Sequence, residues 1–148
     1  LFNPPERKPE CLVPGRVEGL LVGGNLSLLA ATVGTPWQID ATDRILFLED
    51  IDEAPYRIDR MLTQMRLAGI LDSCAGFLLG DWKNCTAAPG KKSLDLSEVF
   101  RDILPAGKPV LANLAAGHCT SKLTLPLGVM VRIDSSAHLL EYLEPATC

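Results

Sequence analysis

The pattern of apolar positions predicts several buried strands, and the clearest one lies near the middle of the chain. Residues Ile45 to Leu48 form an uninterrupted apolar run that is followed at once by Glu49 and Asp50. A short apolar run bounded by polar residues is typical of a strand that is buried on both faces. Similar runs beside glycines and turns predict further strands within Gly15–Gly24, Cys74–Leu79, Lys108–Leu111, Val129–Ile133 and His138–Leu143.

Helices are predicted between several of these strands. Asn25 is a favourable N-cap for a short helix over residues 26–33. Pro55 suits the first turn of a second helix, whose apolar residues recur at i, i+3, i+4 and i+7 and therefore mark one buried face. Asp95 and Glu98 have the spacing of a capping box, which predicts the start of a third helix.

The order of these elements predicts an α/β domain. About six strands and about three helices alternate at first and end in a hairpin, which is typical of a mixed, partly barrel-like sheet. Residues 1–14 contain four prolines and several charges, which predicts a linker or extended lead-in to one domain over residues 15–148. A chain of 148 residues is long enough to bury one substantial core.

Composition narrows the class of protein. The hydrophobic content of 47% and the charged content of 22% are ordinary for a globular domain. The net charge of −4 argues against a surface for nucleic acid or for anionic membranes, and no apolar run approaches the roughly 18 residues of a membrane span. The five cysteines lack a C-x-x-C pair, which argues against a zinc site and favours reduced thiols in a reducing compartment.

The candidate site consists of polar groups that end predicted strands, where α/β proteins bind ligands. They are Glu49 with Asp50, the pair Gly117-His118, and the turn Gly23-Gly24-Asn25. A carboxylate that meets a histidine forms a general-base pair. Each has a structural alternative: Glu49 could cap an element, His118 could be a buried structural histidine, and the glycines could serve only the turn.

A general-base pair needs a nucleophile, and none of the hydroxyl or thiol groups of the chain stands out. The candidates are Ser27, Thr35, Cys119, Thr120 and Ser121. None lies in a G-x-S-x-G elbow, and closeness to His118 in sequence does not supply the geometry that a base requires. Asp81, at the end of the third predicted strand, is a further candidate for the cleft.

Several short motifs occur in an order that resembles one enzyme family. They are Gly19–Leu26, Gly34-Thr35-Pro36, Ile45–Ile51, Pro55–Leu62, and Gly117-His118 followed by Leu125–Gly128. Together they closely resemble the C-terminal domain of the L,D-carboxypeptidases, the serine peptidases that include the muramoyl-tetrapeptide carboxypeptidases and the microcin C immunity peptidases. Each motif alone is weak evidence for the family. Their occurrence in the family's order, from about residue 16 to about residue 134, makes the resemblance specific.

The resemblance implies a swivelling-type β/β/α domain and a Ser-Glu-His triad. The glutamate of the triad falls on Glu49 and the histidine on His118, whereas the serine of the family lies in an N-terminal domain that nothing in this chain matches. Residues 1–14 would lead in from that missing domain, which would also supply the oxyanion hole. Gly23, Gly24 and Asn25 would line the substrate cleft, and the isolated chain is expected to be inactive.

The resemblance also implies a biological setting. Members of the family are cytoplasmic homodimers that need no metal or other cofactor and release the terminal D-alanine from the L,D-bond of murein tetrapeptides in cell-wall recycling. Two alternatives stay open. One is an immunity-type peptidase that acts on peptidyl or aminoacyl nucleotides, and the other is a non-catalytic binding or oligomerisation module that keeps the glutamate and the histidine as a relic.

Overall fold

The computed structural model describes residues 7–90 and 92–146, which contain seven strands and four helices. In chain order they are β1 (Glu10–Val13), β2 (Arg16–Asn25), α1 (Leu26–Ala31), β3 (Ile45–Ile51), α2 (Pro55–Leu67), α3 (Ile70–Ser73), β4 (Gly76–Lys83), α4 (Leu96–Ile103), β5 (Val110–Ala112), β6 (Met130–Asp134) and β7 (Leu139–Tyr142). None of the helices in the described ranges combines the length and apolarity that a bilayer crossing requires.

The strands form one mixed sheet in the order β1-β5-β4-β3-β2-β6-β7. The four strands from β5 to β2 run parallel, and antiparallel pairs flank them on both sides. β2 changes partner along its length, because residues 16–20 pair with β6 and residues 21–25 pair with β3. This exchange lets the sheet curl into a half barrel, and the predicted α/β fold with a mixed, partly barrel-like sheet is confirmed.

The side chains of β3 alternate between two hydrophobic cores. Ile45 and Phe47 belong to the core inside the curled sheet, whereas Leu46 and Leu48 belong to the core that the sheet shares with α2 and α4. Because both faces of the strand are covered, its apolar run has no polar interruption. The same alternation turns the next residue, Glu49, toward the inner face and Asp50 toward the helices.

β1 corrects the predicted boundary of the domain. Residues 10–13 pair antiparallel with β5 and form one edge of the sheet, so the linker predicted for residues 1–14 does not extend over them. Pro9 and Pro14 lie just outside the strand, where a missing N–H group removes no hydrogen bond from the ladder. Residues 1–6 of the predicted linker lie outside the described residues.

β4 also differs from its prediction. It begins at Gly76 and continues to Lys83, and a bulge opposite Glu49 inserts an extra residue into it. Such bulges bend a strand and change the direction of its side chains. The short helix α3, which the apolar pattern did not predict, precedes this strand and closes the core with Ile70 and Leu71.

The predicted helix starts at Asn25 and Asp95 are confirmed. Oδ1 of Asn25 accepts a hydrogen bond from the N–H of Leu28 in α1. At α4, Oδ1 of Asp95 accepts from the N–H of Glu98 at 2.8 Å, and Oε2 of Glu98 accepts from the N–H of Asp95 at 2.7 Å. This reciprocal pair is the predicted capping box, and it lowers the pKa of Asp95 because the backbone N–H of Glu98 stabilises the carboxylate.

Candidate active site

Glu49 and His118 meet at the edge of the sheet where the parallel strands end. Glu49 is 5% exposed, and its Oε2 lies 2.6 Å from Nδ1 of His118. The histidine side chain is 41% exposed, and no described residue hydrogen-bonds to its second nitrogen, Nε2. A carboxylate on Nδ1 holds the proton on that nitrogen, so Nε2 can accept another proton and the carboxylate can stabilise the resulting imidazolium.

Gly117 permits the close approach of the histidine segment to Glu49. Its φ angle is +114°, and a Cβ atom at this position would lie 2.5 Å from Oε2 of Glu49. The segment is held on β4 by a 2.7 Å hydrogen bond from the N–H of Asp81 to the carbonyl oxygen of Ala116. A glycine before His118 is therefore required by the packing around the carboxylate.

Asp50 has a different role from its neighbour. It is 1% exposed, and its carboxylate accepts hydrogen bonds from Nδ2 of Asn25, from both N–H and Oγ of Ser27, and from the N–H of Ile51, at 2.7 to 3.0 Å. Ser27 lies in the first turn of α1, so the carboxylate occupies the positive end of that helix. Asp50 therefore joins β3 to α1 and does not contact His118.

Gly23, Gly24 and Asn25 do not form the predicted turn, because they are the last residues of β2 and pair with β3. Two of the three have a structural role. A side chain at Gly23, with φ at +129°, would overlap the carbonyl oxygen of Phe47, and the side chain of Asn25 caps α1 and donates to Asp50. The positive end of α1, which follows this segment, is occupied by the carboxylate of Asp50. A Cβ atom at Gly24 would have no other atom within 4 Å, so this glycine leaves room for a ligand, and substrate contacts at the three positions stay a prediction.

No hydrogen bond joins a candidate nucleophile to the imidazole of His118 within the described residues. Three have hydrogen bonds elsewhere: Ser27 donates to Asp50, Thr35 to the carbonyl oxygen of Thr32, and Cys119 to that of Ser121. The four described cysteines are free thiols, and burial raises the pKa of Cys74 to about 12. Such a thiol is a poor nucleophile at neutral pH, because it stays protonated.

Asp81 contacts a residue that no sequence motif singled out. Its Oδ1 lies 2.6 Å from Nη1 of Arg7, in the segment before β1. The two residues are 74 positions apart, and no local pattern around Arg7 signals the contact. Only the pairing of β1 with β5 brings this segment to the end of β4.

The described residues also form an apolar cleft that lacks a carboxylate–histidine pair. It measures about 440 Å³ and lies between the start of α2 and the loop before α4, where Pro55, Tyr56 and Leu94 line it. It contains no histidine, and neither Glu49 nor His118 reaches it.

No group of three or more histidine, cysteine, aspartate or glutamate residues in the described ranges could hold a metal ion. The Glu49–His118 pair is therefore the better candidate site.

Comparison with known proteins gives consistent matches over most of the chain. A family model described as the LD-carboxypeptidase C-terminal domain matches residues 18–133. A protein of Bacillus subtilis (strain 168) named probable murein peptide carboxypeptidase is 48% identical over 126 residues, which cover 84% of this chain and 40% of that protein.

Solved structures match as well. MccF in complex with glutamyl sulfamoyl guanosine has a TM-score of 0.82 and 28% identity, covering 95% of this chain and 42% of MccF. Muramoyltetrapeptide carboxypeptidase from Oxalobacter formigenes has a TM-score of 0.76 and 35% identity, covering 92% of this chain and 49% of that enzyme. The chain thus spans less than half the length of these relatives.

Proposed function

Since the chain belongs to the LD-carboxypeptidase family, whose C-terminal domain it forms, we propose that Glu49 and His118 are two members of a serine-type catalytic triad. The observation that carries the proposal is the 2.6 Å contact between Oε2 of the buried glutamate and Nδ1 of the half-exposed histidine. One ring nitrogen is oriented by the carboxylate, and the other remains for a substrate or a nucleophile.

The proposed reaction releases the terminal D-alanine from the L,D-bond of a murein tetrapeptide. A serine Oγ attacks the carbonyl carbon before D-alanine, and Nε2 of His118 takes the serine proton as the new C–O bond forms. Collapse of the tetrahedral intermediate breaks the C–N bond, and the imidazolium gives its proton to the leaving amine. Water then hydrolyses the acyl-serine with His118 as the base, while Glu49 stabilises the imidazolium in both steps.

The serine and the oxyanion hole are proposed to come from an N-terminal domain outside this chain. Support comes from two observations: no hydroxyl or thiol group of the described residues is hydrogen-bonded to the imidazole of His118, and the relatives are more than twice as long as the matched region. Gly23, Gly24 and Asn25 are proposed to line the cleft, because Asn25 is the register partner of Glu49 on the neighbouring strand.

Substitution of the acid and the base tests this proposal in the complete protein. Glu49→Gln and His118→Ala are each expected to lower kcat for D-alanine release by roughly 10⁴-fold, because triad members act as a unit. Glu141→Gln and His138→Ala are matched controls at exposed positions and should keep normal turnover. Circular dichroism would check the fold, and near-normal turnover in either site variant would contradict the proposal.

A second candidate is an immunity-type peptidase that cleaves peptidyl or aminoacyl nucleotides. The fold match to MccF, with a TM-score of 0.82, favours it, whereas the 48% identity to the Bacillus protein favours the murein peptidase. Assaying the complete protein on a murein tetrapeptide and on an aminoacyl sulfamoyl adenylate separates the two. Hydrolysis of neither compound would instead favour a non-catalytic binding or oligomerisation module.

A further inference from the structure

Arg7 connects two segments that converge on His118. Its Nη1 lies 2.6 Å from Oδ1 of Asp81, and its Nε donates to both the backbone oxygen (3.1 Å) and Oδ1 (2.9 Å) of Asn113. Nδ2 of Asn113 in turn donates to the backbone oxygen of Lys8 at 2.8 Å. One guanidinium therefore fastens the segment before β1 to the end of β4 and to the residue that follows β5.

Both anchors act on the segment that carries the histidine. Asp81 lies at the bulge of β4 opposite Glu49, and its N–H donates to the carbonyl oxygen of Ala116, two residues before His118. Asn113 has a left-handed backbone, with φ at +58°, at the point where the chain leaves β5. A shift of either anchor would move residues 113–118 relative to the carboxylate of Glu49.

The burial of this pair distinguishes it from the other arginine pairs on the surface. The side chains of Arg7 and Asp81 are 21% and 14% exposed, whereas the acidic partners of Arg132 are each 46% exposed. The planar guanidinium has several donors in fixed directions, so it can bind a carboxylate and an amide oxygen at the same time. A lysine ammonium lacks this fork, and loss of either partner would leave a charge partly desolvated and unpaired.

We propose that Arg7 and Asp81 are positioning residues that hold His118 against Glu49. Neither is hydrogen-bonded to the imidazole: Arg7 binds Asp81 and Asn113, and the backbone N–H of Asp81 donates to Ala116. The proposal rests on the proposed function in taking His118 as the base, but the geometry that it predicts can be measured in this chain without any turnover.

Nitrogen-15 NMR of the histidine rings provides the test, because the chain contains two histidines, His118 and His138. At alkaline pH the neutral ring of His118 should carry its proton on Nδ1, since that nitrogen donates to Glu49. Arg7→Ala and Asp81→Asn are expected to replace this single tautomer by a mixture of both. Arg7→Lys, which keeps the charge without the fork, should give an intermediate mixture.

Two controls make the result specific. Arg132→Ala removes a different ion-paired arginine, which binds two carboxylates at 2.7 Å, and it should leave the His118 tautomer unchanged. The exposed His138 is an internal control whose ring signals should stay constant in every variant.

The outcomes separate the positioning role from the proposed function. An unchanged His118 tautomer in Arg7→Ala and Asp81→Asn overturns the positioning role alone, and so does an equal change in Arg132→Ala. Loss of amide dispersion in the NMR spectrum of Arg7→Ala would show that this variant is unfolded. The positioning role is then judged from the His118 tautomer in Asp81→Asn and Arg7→Lys. Absence of the Nδ1–H tautomer in the unsubstituted chain would overturn both this role and the contact on which the proposed function depends.

Discussion

Glu49 and Asp50 are adjacent carboxylates in opposite surroundings. Asp50 accepts four hydrogen bonds on the helical side of β3, whereas Glu49 faces His118 on the inner side. A buried carboxylate without donors would be strongly destabilised, so each charge needs the partners that it has. The partners of Asp50 join β3 to α1, whereas the partner of Glu49 is an imidazole, and Glu49 is therefore the carboxylate that we propose to act in catalysis.

Gly117→Ala tests how closely the acid–base pair is packed. The added methyl group would lie 2.5 Å from Oε2 of Glu49, so the carboxylate would have to move away from His118. We expect kcat of the complete protein to fall on the order of 100-fold, the effect of a misplacement of about 1 Å. Gly107→Ala is the matched control, because Gly107 also has a positive φ of +80° but no atom within 4 Å of the Cβ position. Equal losses in both variants would attribute the effect to backbone strain.

At the scale of elements, the candidate site depends on how strand ends are joined to their neighbours. The carboxylate of Asp50 joins the end of β3 to the first turn of α1, and the bulge in β4 lies opposite Glu49. The backbone hydrogen bond from Asp81 to Ala116 then brings the segment after β5 over the same edge. Three neighbouring strand ends therefore set the positions of Glu49 and His118.

Asp50→Ala should destabilise the domain rather than merely alter the site. It leaves Asn25 and Ser27 without their acceptor at a buried position, and the loss of hydrogen bonds to a charged group is expected to lower the free energy of unfolding by about 2–4 kcal/mol. Asp102→Ala, at an exposed position of α4, should change it by less than about 0.5 kcal/mol. Urea denaturation of this chain measures both, and equal stabilities would show that the Asp50 cluster contributes nothing.

At the scale of the whole molecule, the curled sheet presents the Glu49–His118 pair at one edge with the imidazole 41% exposed. The relatives are more than twice as long as the region that the chain matches. Both observations support the proposal that a second domain completes the site.

The isolated 148-residue chain is expected to be catalytically silent. It contains the proposed base and its orienting acid, but no described hydroxyl or thiol is hydrogen-bonded to the imidazole of His118. Incubation with a murein tetrapeptide, followed by mass spectrometry of the products, should show no loss of D-alanine under conditions in which the complete protein releases it. Measurable release would place the nucleophile within this chain.

The isolated chain is also expected to self-associate, and the complete protein is proposed to be a homodimer. Large apolar side chains are exposed on the domain, with Leu67 at 85%, Trp37 at 84% and Leu28 at 71%. Exposed apolar side chains favour association in water where they form a contiguous patch. Sedimentation velocity over a range of concentrations should show an increasing share of dimer, and a strictly monomeric chain at the highest concentration would contradict the expectation.

The sequence by itself determined the elements whose signals lie within a few residues. The apolar run of β3, the caps at Asn25 and Asp95, and the first turn at Pro55 each depend on local spacing and hydrogen bonding, and each was predicted from them. The order of the motifs indicated the family, which the match to residues 18–133 confirms. It also pointed to Glu49 and His118 as a pair.

Only the tertiary structure decided how distant segments meet. The contacts between Glu49 and His118 and between Arg7 and Asp81 join residues that are 69 and 74 positions apart. No short-range pattern in the sequence predicts such contacts. Sheet register placed Glu49 rather than Asp50 toward the histidine, and the pairing of residues 10–13 with β5 turned part of a predicted linker into an edge strand. Register depends on which strands are neighbours and on the sum of many weak contacts across the sheet, so it is settled only when the whole chain packs.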